Sequence, residues 1–159
     1  MRHIYPGVKR LYMKFAIVPV KDLSKAKERL SSVLPQDVRT DLAYAMLEDV
    51  LTALKGSRLL DRILVVTMDR NAIRIAGDMG IEILEETEQK GESDSVDRAS
   101  RICKDMGAES VLVIPGDAPL ITPEDIDFIA GKEMGPPSVI LVPARDKMGT
   151  NAILRNPPD

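Results

Sequence analysis

The run Val111-Leu112-Val113-Ile114-Pro115 constrains this chain more than any other stretch. It is uncharged and mostly β-branched or aliphatic, the pattern of a strand buried on both faces of a parallel sheet. It breaks off at Gly116-Asp117, with Pro119 close behind. The chain must turn hard there and leave a carboxylate at the strand's carboxyl end. Open α/β sheets bind their ligands at that end.

Similar runs recur at helix-sized intervals. Residues 15–20 and 62–67 read as buried strands, 81–85 as a shorter alternating strand near an edge, 139–143 as another buried strand and 150–154 as a last one. Between them, helices are expected at 37–54 (opened by Pro35, ended by Gly56), at 71–79 before Gly80, at 93–106 before Gly107, and at 123–130. Leu42, Met46, Val50 and Leu54 form the expected apolar stripe of the first helix. Val96, Ala99, Ile102, Cys103 and Met106 form that of the third. Strands alternating with helices mean βαβ units and a mainly parallel sheet. Right-handed crossovers and a doubly wound order then place the first and fourth strands side by side. The segment after the first strand and the turn at Asp117 would flank one crevice.

The plain alternative for Asp117 is a helix N-cap, which Asp favours. Thr122-Pro123-Glu124-Asp125 already supplies a cap for the following helix, with Pro at the first helical position and acids in the first turn. Asp117 lies five residues before Thr122, too early for that task. A carboxylate on a tight turn beside a sheet suits a divalent cation that carries phosphates.

The 159 residues suit one domain, with residues 1–12 a short extension and the fold beginning at Met13. Net charge is −3 and aromatics make up 3%, so neither non-specific nucleic-acid binding nor base stacking in a single-strand channel is expected. Cys103 is the single cysteine and His3 the single histidine, which leaves no disulfide, no zinc cluster and no Cys–His nucleophile. No apolar run reaches the roughly 20 residues that cross a membrane, and no signal-peptide core is present. A cytoplasmic protein is expected.

The usual phosphate-binding glycine signatures are absent. In their place, directly after the first strand, stand Lys21, Lys25, Lys27 and Arg29. A solvated helical face is the plain alternative for such a run. Their position opposite Asp117 favours a polyphosphate site, with lysines as point charges and Arg29 as a bidentate grip.

Three motifs now stand in order: I-V-P-V-K-x-x-x-x-A-K-x-R-L at 17–30, V-I-P-G-D-A-P-L at 113–120 and G-T-N-A at 149–152. Together they resemble the 2-phospho-L-lactate guanylyltransferase family, which serves biosynthesis of the deazaflavin redox coenzyme of methanogens and some bacteria. The resemblance covers residues 14–159 and implies a three-layer α/β sandwich with a mainly parallel, doubly wound sheet of the GT-A-like nucleotide-diphospho-sugar transferase kind. It implies that Lys21, Lys27 and Arg29, with Pro115 and Gly116, hold the nucleotide, and that Asp117 binds Mg2+. Lys21 and Asp117 would be the catalytic pair. Asp146, Gly149, Thr150 and Asn151 would hold the acceptor, although a plain hairpin turn also explains Gly149-Thr150-Asn151. Where such proteins show G-L-N before the helix after the third strand, this chain has Gly91-Glu92-Ser93. The family continues beyond the point where this chain ends, so the nucleotidyltransferase domain at 13–159 is expected to lack its C-terminal part.

The implied reaction moves GMP from GTP to the phosphate of 2-phospho-L-lactate, or of phosphoenolpyruvate, and releases pyrophosphate. The expected partners are therefore GTP and a small phosphorylated hydroxy acid, with a homodimer left open. An acceptor phosphate already ionised at neutral pH needs no strong base, which suits a chain without a catalytic His or Cys. Two other readings remain: a nucleotidyltransferase with a different base or acceptor, and a non-catalytic nucleotide-binding module.

Overall fold

The computed structural model describes residues 12–88 and 91–159. The expected N-terminal extension, apart from Tyr12, and His3 with it lie outside the described residues. Strands and helices alternate until two strands close the series: β1 (Met13–Val20), α1 (Gln36–Gly56), β2 (Arg62–Thr67), α2 (Arg70–Asp78), β3 (Glu82–Glu85), α3 (Glu92–Asp105), β4 (Ala108–Val113), α4 (Pro123–Ala130), β5 (Ser138–Pro143) and β6 (Thr150–Asn156). They build one six-stranded sheet in the order β3-β2-β1-β4-β6-β5. β1 pairs in parallel with both β2 and β4, as the doubly wound order requires, and β6 joins antiparallel to β4. β3 takes the edge expected of it.

The central strands separate two apolar layers by the two-residue alternation of a strand. Ala16 and Val18 of β1, with Val65 and Leu112, face α1, α2 and α4. Phe15 and Ile17, with Leu64, Val111 and Val113, face α3 through Val96, Ala99 and Cys103. The result is a three-layer α/β sandwich. Burial pushes the Cys103 thiol up to about 11, which makes it a small core side chain and not a nucleophile.

One helical reading changes. The buried seam of α1 is Ala43, Leu47, Val50, Leu51 and Leu54, while Leu42 is 38% exposed. Leu42 is read into the stripe because i, i+4 spacing fits two neighbouring faces of a long helix. The sheet selects the one turned by a residue. Gly56 ends α1 as expected, as its last residue. A Cβ there would meet Pro123 Cγ at 2.7 Å, so glycine is needed for the close approach of α1 to α4.

β5 also departs from expectation. Its aliphatic run reads as buried on both faces, yet it is the outer strand and Val139 and Leu141 are 61% and 60% exposed. The capping box of α4 is present as read: Thr122 Oγ1 accepts from Asp125 N, and the Asp125 carboxylate accepts from Thr122 N. Among the described residues no helix is long and apolar enough to cross a membrane.

Candidate functional site

β1 ends at Val20, and the basic segment that follows folds into two short 3-10 turns, Leu23–Lys25 and Glu28–Leu30. Asp22 starts the first by accepting from Ser24 N at 2.9 Å. That backbone hydrogen bond holds its carboxyl below the usual range. Lys27 precedes the second with φ at +56°, in the left-handed region. Such a conformation is uncommon for a side-chain-bearing residue and marks a turn enforced by its surroundings.

What enforces it comes from elsewhere in the chain. Asp69, 7% exposed, accepts from Leu23 N at 2.9 Å through Oδ2. Its Oδ1 accepts from Asn71 N and Ala72 N and so caps α2. Tyr44 of α1 donates its hydroxyl to the same carboxylate at 3.1 Å. Burial and the Asp69 charge outweigh a hydrogen bond from Asn71 and hold the Tyr44 hydroxyl above its usual value, so it stays a donor. Arg39, 8% exposed, lies behind the loop with Nη1 3.4 Å from Lys27 O.

On the other side, β4 leads into Pro115-Gly116-Asp117. A Cβ at Gly116 would meet Leu47 Cδ1 at 3.2 Å and Val20 Cγ2 at 3.3 Å, so the missing side chain lets this turn lie flat against β1 and α1. Asp117 caps no helix. Its Oδ2 accepts from Lys27 Nζ at 2.9 Å, across the crevice between the first and fourth strands.

The crevice is a cleft of about 860 Å³. Lys21, Lys27, Arg29, Pro115, Gly116 and Asp117 all line it, so the residues expected to hold a nucleotide do converge. Lys21 pairs with Glu92, at the start of α3, at 3.6 Å. The Lys21–Glu92 pair is largely solvent-exposed, and in the other Asp117 is exposed while Lys27 is mostly covered; each is worth about 0–1 kcal/mol, so a polyphosphate can displace the carboxylates at little cost. Asp117 is the carboxylate available to a cation at the β4 turn, and among the described residues no cage of three or more His, Cys, Asp or Glu exists. That donor set fits magnesium, which commonly takes one or two carboxylates and completes its shell with phosphate and water.

Asp146 and Gly149 lie on the exposed β5–β6 turn and Thr150 and Asn151 open β6, and none of the four lines the cleft. Ala144 N donates to Gly149 O at 2.8 Å, and the Asp146 side chain accepts from Met148 N through Oδ1 at 3.0 Å, so the turn is held by bonds within itself. The antiparallel register (Val113 opposite Ile153) puts the start of β6 at the carboxyl end of β4, the edge that carries Asp117.

A second cavity, of about 270 Å³, adjoins the cleft, with Pro19, Val20, Lys21 and Glu92 lining both. Val66, Glu86, Gly91 and Ser95 complete its wall. Sequence reasoning missed Asp69, Tyr44, Arg39 and Glu86. Asp69 carried a local signal as an N-cap before α2. The others had none, because their roles depend on which strands become neighbours.

Residues 13–158 match the model of the family described as guanylyl transferase CofC like. The chain is 39% identical over 146 residues to a phosphoenolpyruvate guanylyltransferase from Conexibacter woesei, spanning 91% of this chain and 66% of that protein. It is 33% identical over 142 residues to a 2-phospho-L-lactate guanylyltransferase from Methanothermobacter thermautotrophicus, spanning 89% of this chain and 61% of that protein. Among solved structures, a putative nucleotide-diphospho-sugar transferase from Desulfovibrio desulfuricans superposes with a TM-score of 0.73 at 16% identity, over 91% of this chain and 64% of that one. The last likeness concerns the fold. These proteins extend about a third or more beyond the part that this chain matches.

Proposed function

The chain belongs to the guanylyl transferase CofC-like family, and from that premise we propose that it moves GMP from GTP to the phosphate of phosphoenolpyruvate or 2-phospho-L-lactate. The carrying observation is the 2.9 Å approach of Lys27 to Asp117 over a cleft lined by Lys21 and Arg29. Cations on one wall and a turn carboxylate on the other suit a polyphosphate with its divalent ion. In the transfer, an acceptor phosphate oxygen attacks the α-phosphorus. The bond from that phosphorus to the bridging oxygen breaks, and pyrophosphate leaves.

Lys21, at the mouth shared by both cavities, would lie against the phosphate nearest the nucleoside. Lys27 and Arg29 would take the outer phosphates and hold the leaving group in line. Asp117 would hold Mg2+, which when bound neutralises charge on the departing pyrophosphate. No proton need leave the acceptor phosphate, so the chain's work is alignment and charge neutralisation. Thr150 and its neighbours, on the same edge of the sheet, would present the acceptor. Placement in deazaflavin coenzyme biosynthesis rests on the family alone.

Pyrophosphate release from GTP tests this reading, with each acceptor in turn and with magnesium present or omitted. Release that requires both acceptor and magnesium, and that falls at least tenfold in Lys21→Ala and Arg29→Ala, is expected. Tight GTP binding without release under any of these conditions would make the protein a nucleotide-binding module instead.

A further inference from the structure

The smaller cavity carries a carboxylate that none of the chemistry above uses. Glu86 is 7% exposed, and its side chain has no hydrogen-bond or ion-pair partner among the described residues. Only its backbone is engaged, Glu86 N donating to Thr67 O at 2.9 Å and fixing the residue at the end of β3. Its carboxylate oxygens are not fully buried but open to the cavity, so a ligand seated there could complete their hydrogen bonds. The surrounding wall is apolar where a flat ring would lie, through Pro19, Val20 and Val66.

We infer that Glu86 reads the base of the nucleotide, accepting two hydrogen bonds from the N1–H and 2-amino group of guanine. The inference rests on the reading of the main cleft as a triphosphate site, and deepens it. Position supports the pairing: the cavity meets the cleft at Lys21, so a base seated beside Glu86 would extend its phosphates past Lys21 toward Lys27 and Asp117. Chemistry selects the base. Guanine sets two N–H donors side by side, matching the two oxygens of a carboxylate. Adenine and cytosine place a ring-nitrogen acceptor beside their amino group, and uracil flanks its one N–H with two carbonyls. Each of those would set a lone pair against a buried anion. The acidic residue therefore attracts guanine and repels the rest.

Calorimetric titration of the protein with GTP, ITP, XTP and ATP, in wild type and Glu86→Gln, tests this. Inosine lacks the 2-amino group, and xanthine carries a carbonyl in its place. Wild type should bind GTP about ten- to a hundredfold more tightly than ITP or ATP, the worth of a hydrogen bond to a charged group. In Glu86→Gln the amide can donate to the xanthine carbonyl, so the preference should invert toward XTP while the thermal melt stays cooperative. A purely structural carboxylate would not produce that inversion. GTP binding with no loss on going to ITP, or a variant that keeps GTP over XTP, overturns the inference alone. Absence of binding to every triphosphate in wild type overturns the cleft reading and the inference together. Should the variant fail to fold, the wild-type comparison of GTP with ITP decides by itself.

Discussion

Leu23 and Asp69 are joined across 46 residues by one hydrogen bond, from the backbone N–H of Leu23 to Oδ2 of Asp69, at 2.9 Å. The same buried carboxylate caps α2 and receives the Tyr44 hydroxyl. One side chain thus ties the basic loop after β1 to the helix after β2 and to α1. The cations of the cleft owe their placement to a residue that does not line it.

Asp69→Ala should therefore act twice. Loss of the cap costs about 1–2 kcal/mol, a fall of roughly 2–8 °C in Tm for a domain of this size. With Leu23 N–H unpaired, the loop loosens and GTP affinity falls as well. A thermal melt beside a calorimetric titration separates the effects. A lower Tm with unchanged GTP affinity would show that the loop keeps its shape without the tether.

Asp117→Ala should abolish turnover and leave the fold standing. The side chain is 60% exposed and its one partner among the described residues is Lys27, an ion pair worth about 0–1 kcal/mol. Circular dichroism and a melt should match wild type within a few degrees. Retained turnover in a destabilised variant would make Asp117 a structural turn residue.

Thr150→Val should spare GTP and harm the acceptor. Val keeps the branched shape at the start of β6 and deletes the hydroxyl. Losing one hydrogen bond to a charged phosphate weakens transition-state binding by about 1.5–3 kcal/mol, roughly ten- to a hundredfold in kcat/KM for the acceptor. Kinetics varying each substrate in turn check this. A loss confined to GTP would move Thr150 out of the acceptor site.

Asp127 predicts how stability responds to acid. Burial alone would raise its carboxyl, but hydrogen bonds from Ser57, Arg58 and Leu59 prevail and hold it below the ordinary value of 3.8. A depressed folded value means that the ionised form stabilises the protein above the unfolded value. This contribution is lost as pH falls through the lower, folded one. Asp127→Asn should thus melt below wild type at pH 7, by about 0.5–1.5 kcal/mol, and approach it below pH 3.8. A gap that stays constant with pH would show that shape, and not charge, holds the 57–60 turn.

Local rules carried the chain a long way. The aliphatic runs, the glycine stops and the Thr122–Asp125 box are short-range signals, set by the period of a strand or the first turn of a helix, and the structure places their elements where they point. Parallel pairing of β1 with β4 also follows from chain order, because right-handed crossovers leave few alternatives. That was enough to bring Lys21, Lys27, Arg29 and Asp117 to one crevice. Other features needed the assembled sheet. The burial of Leu47 in place of Leu42, the close approach of Gly56 to Pro123, and the half-exposed β5 depend on which neighbour each element meets. The long-range bonds of Asp69 to Leu23 and Tyr44, and the place of Glu86 at the smaller cavity, are of this second kind: a carboxylate's partners beyond its own turn are set by tertiary packing, and no spacing along the chain encodes that.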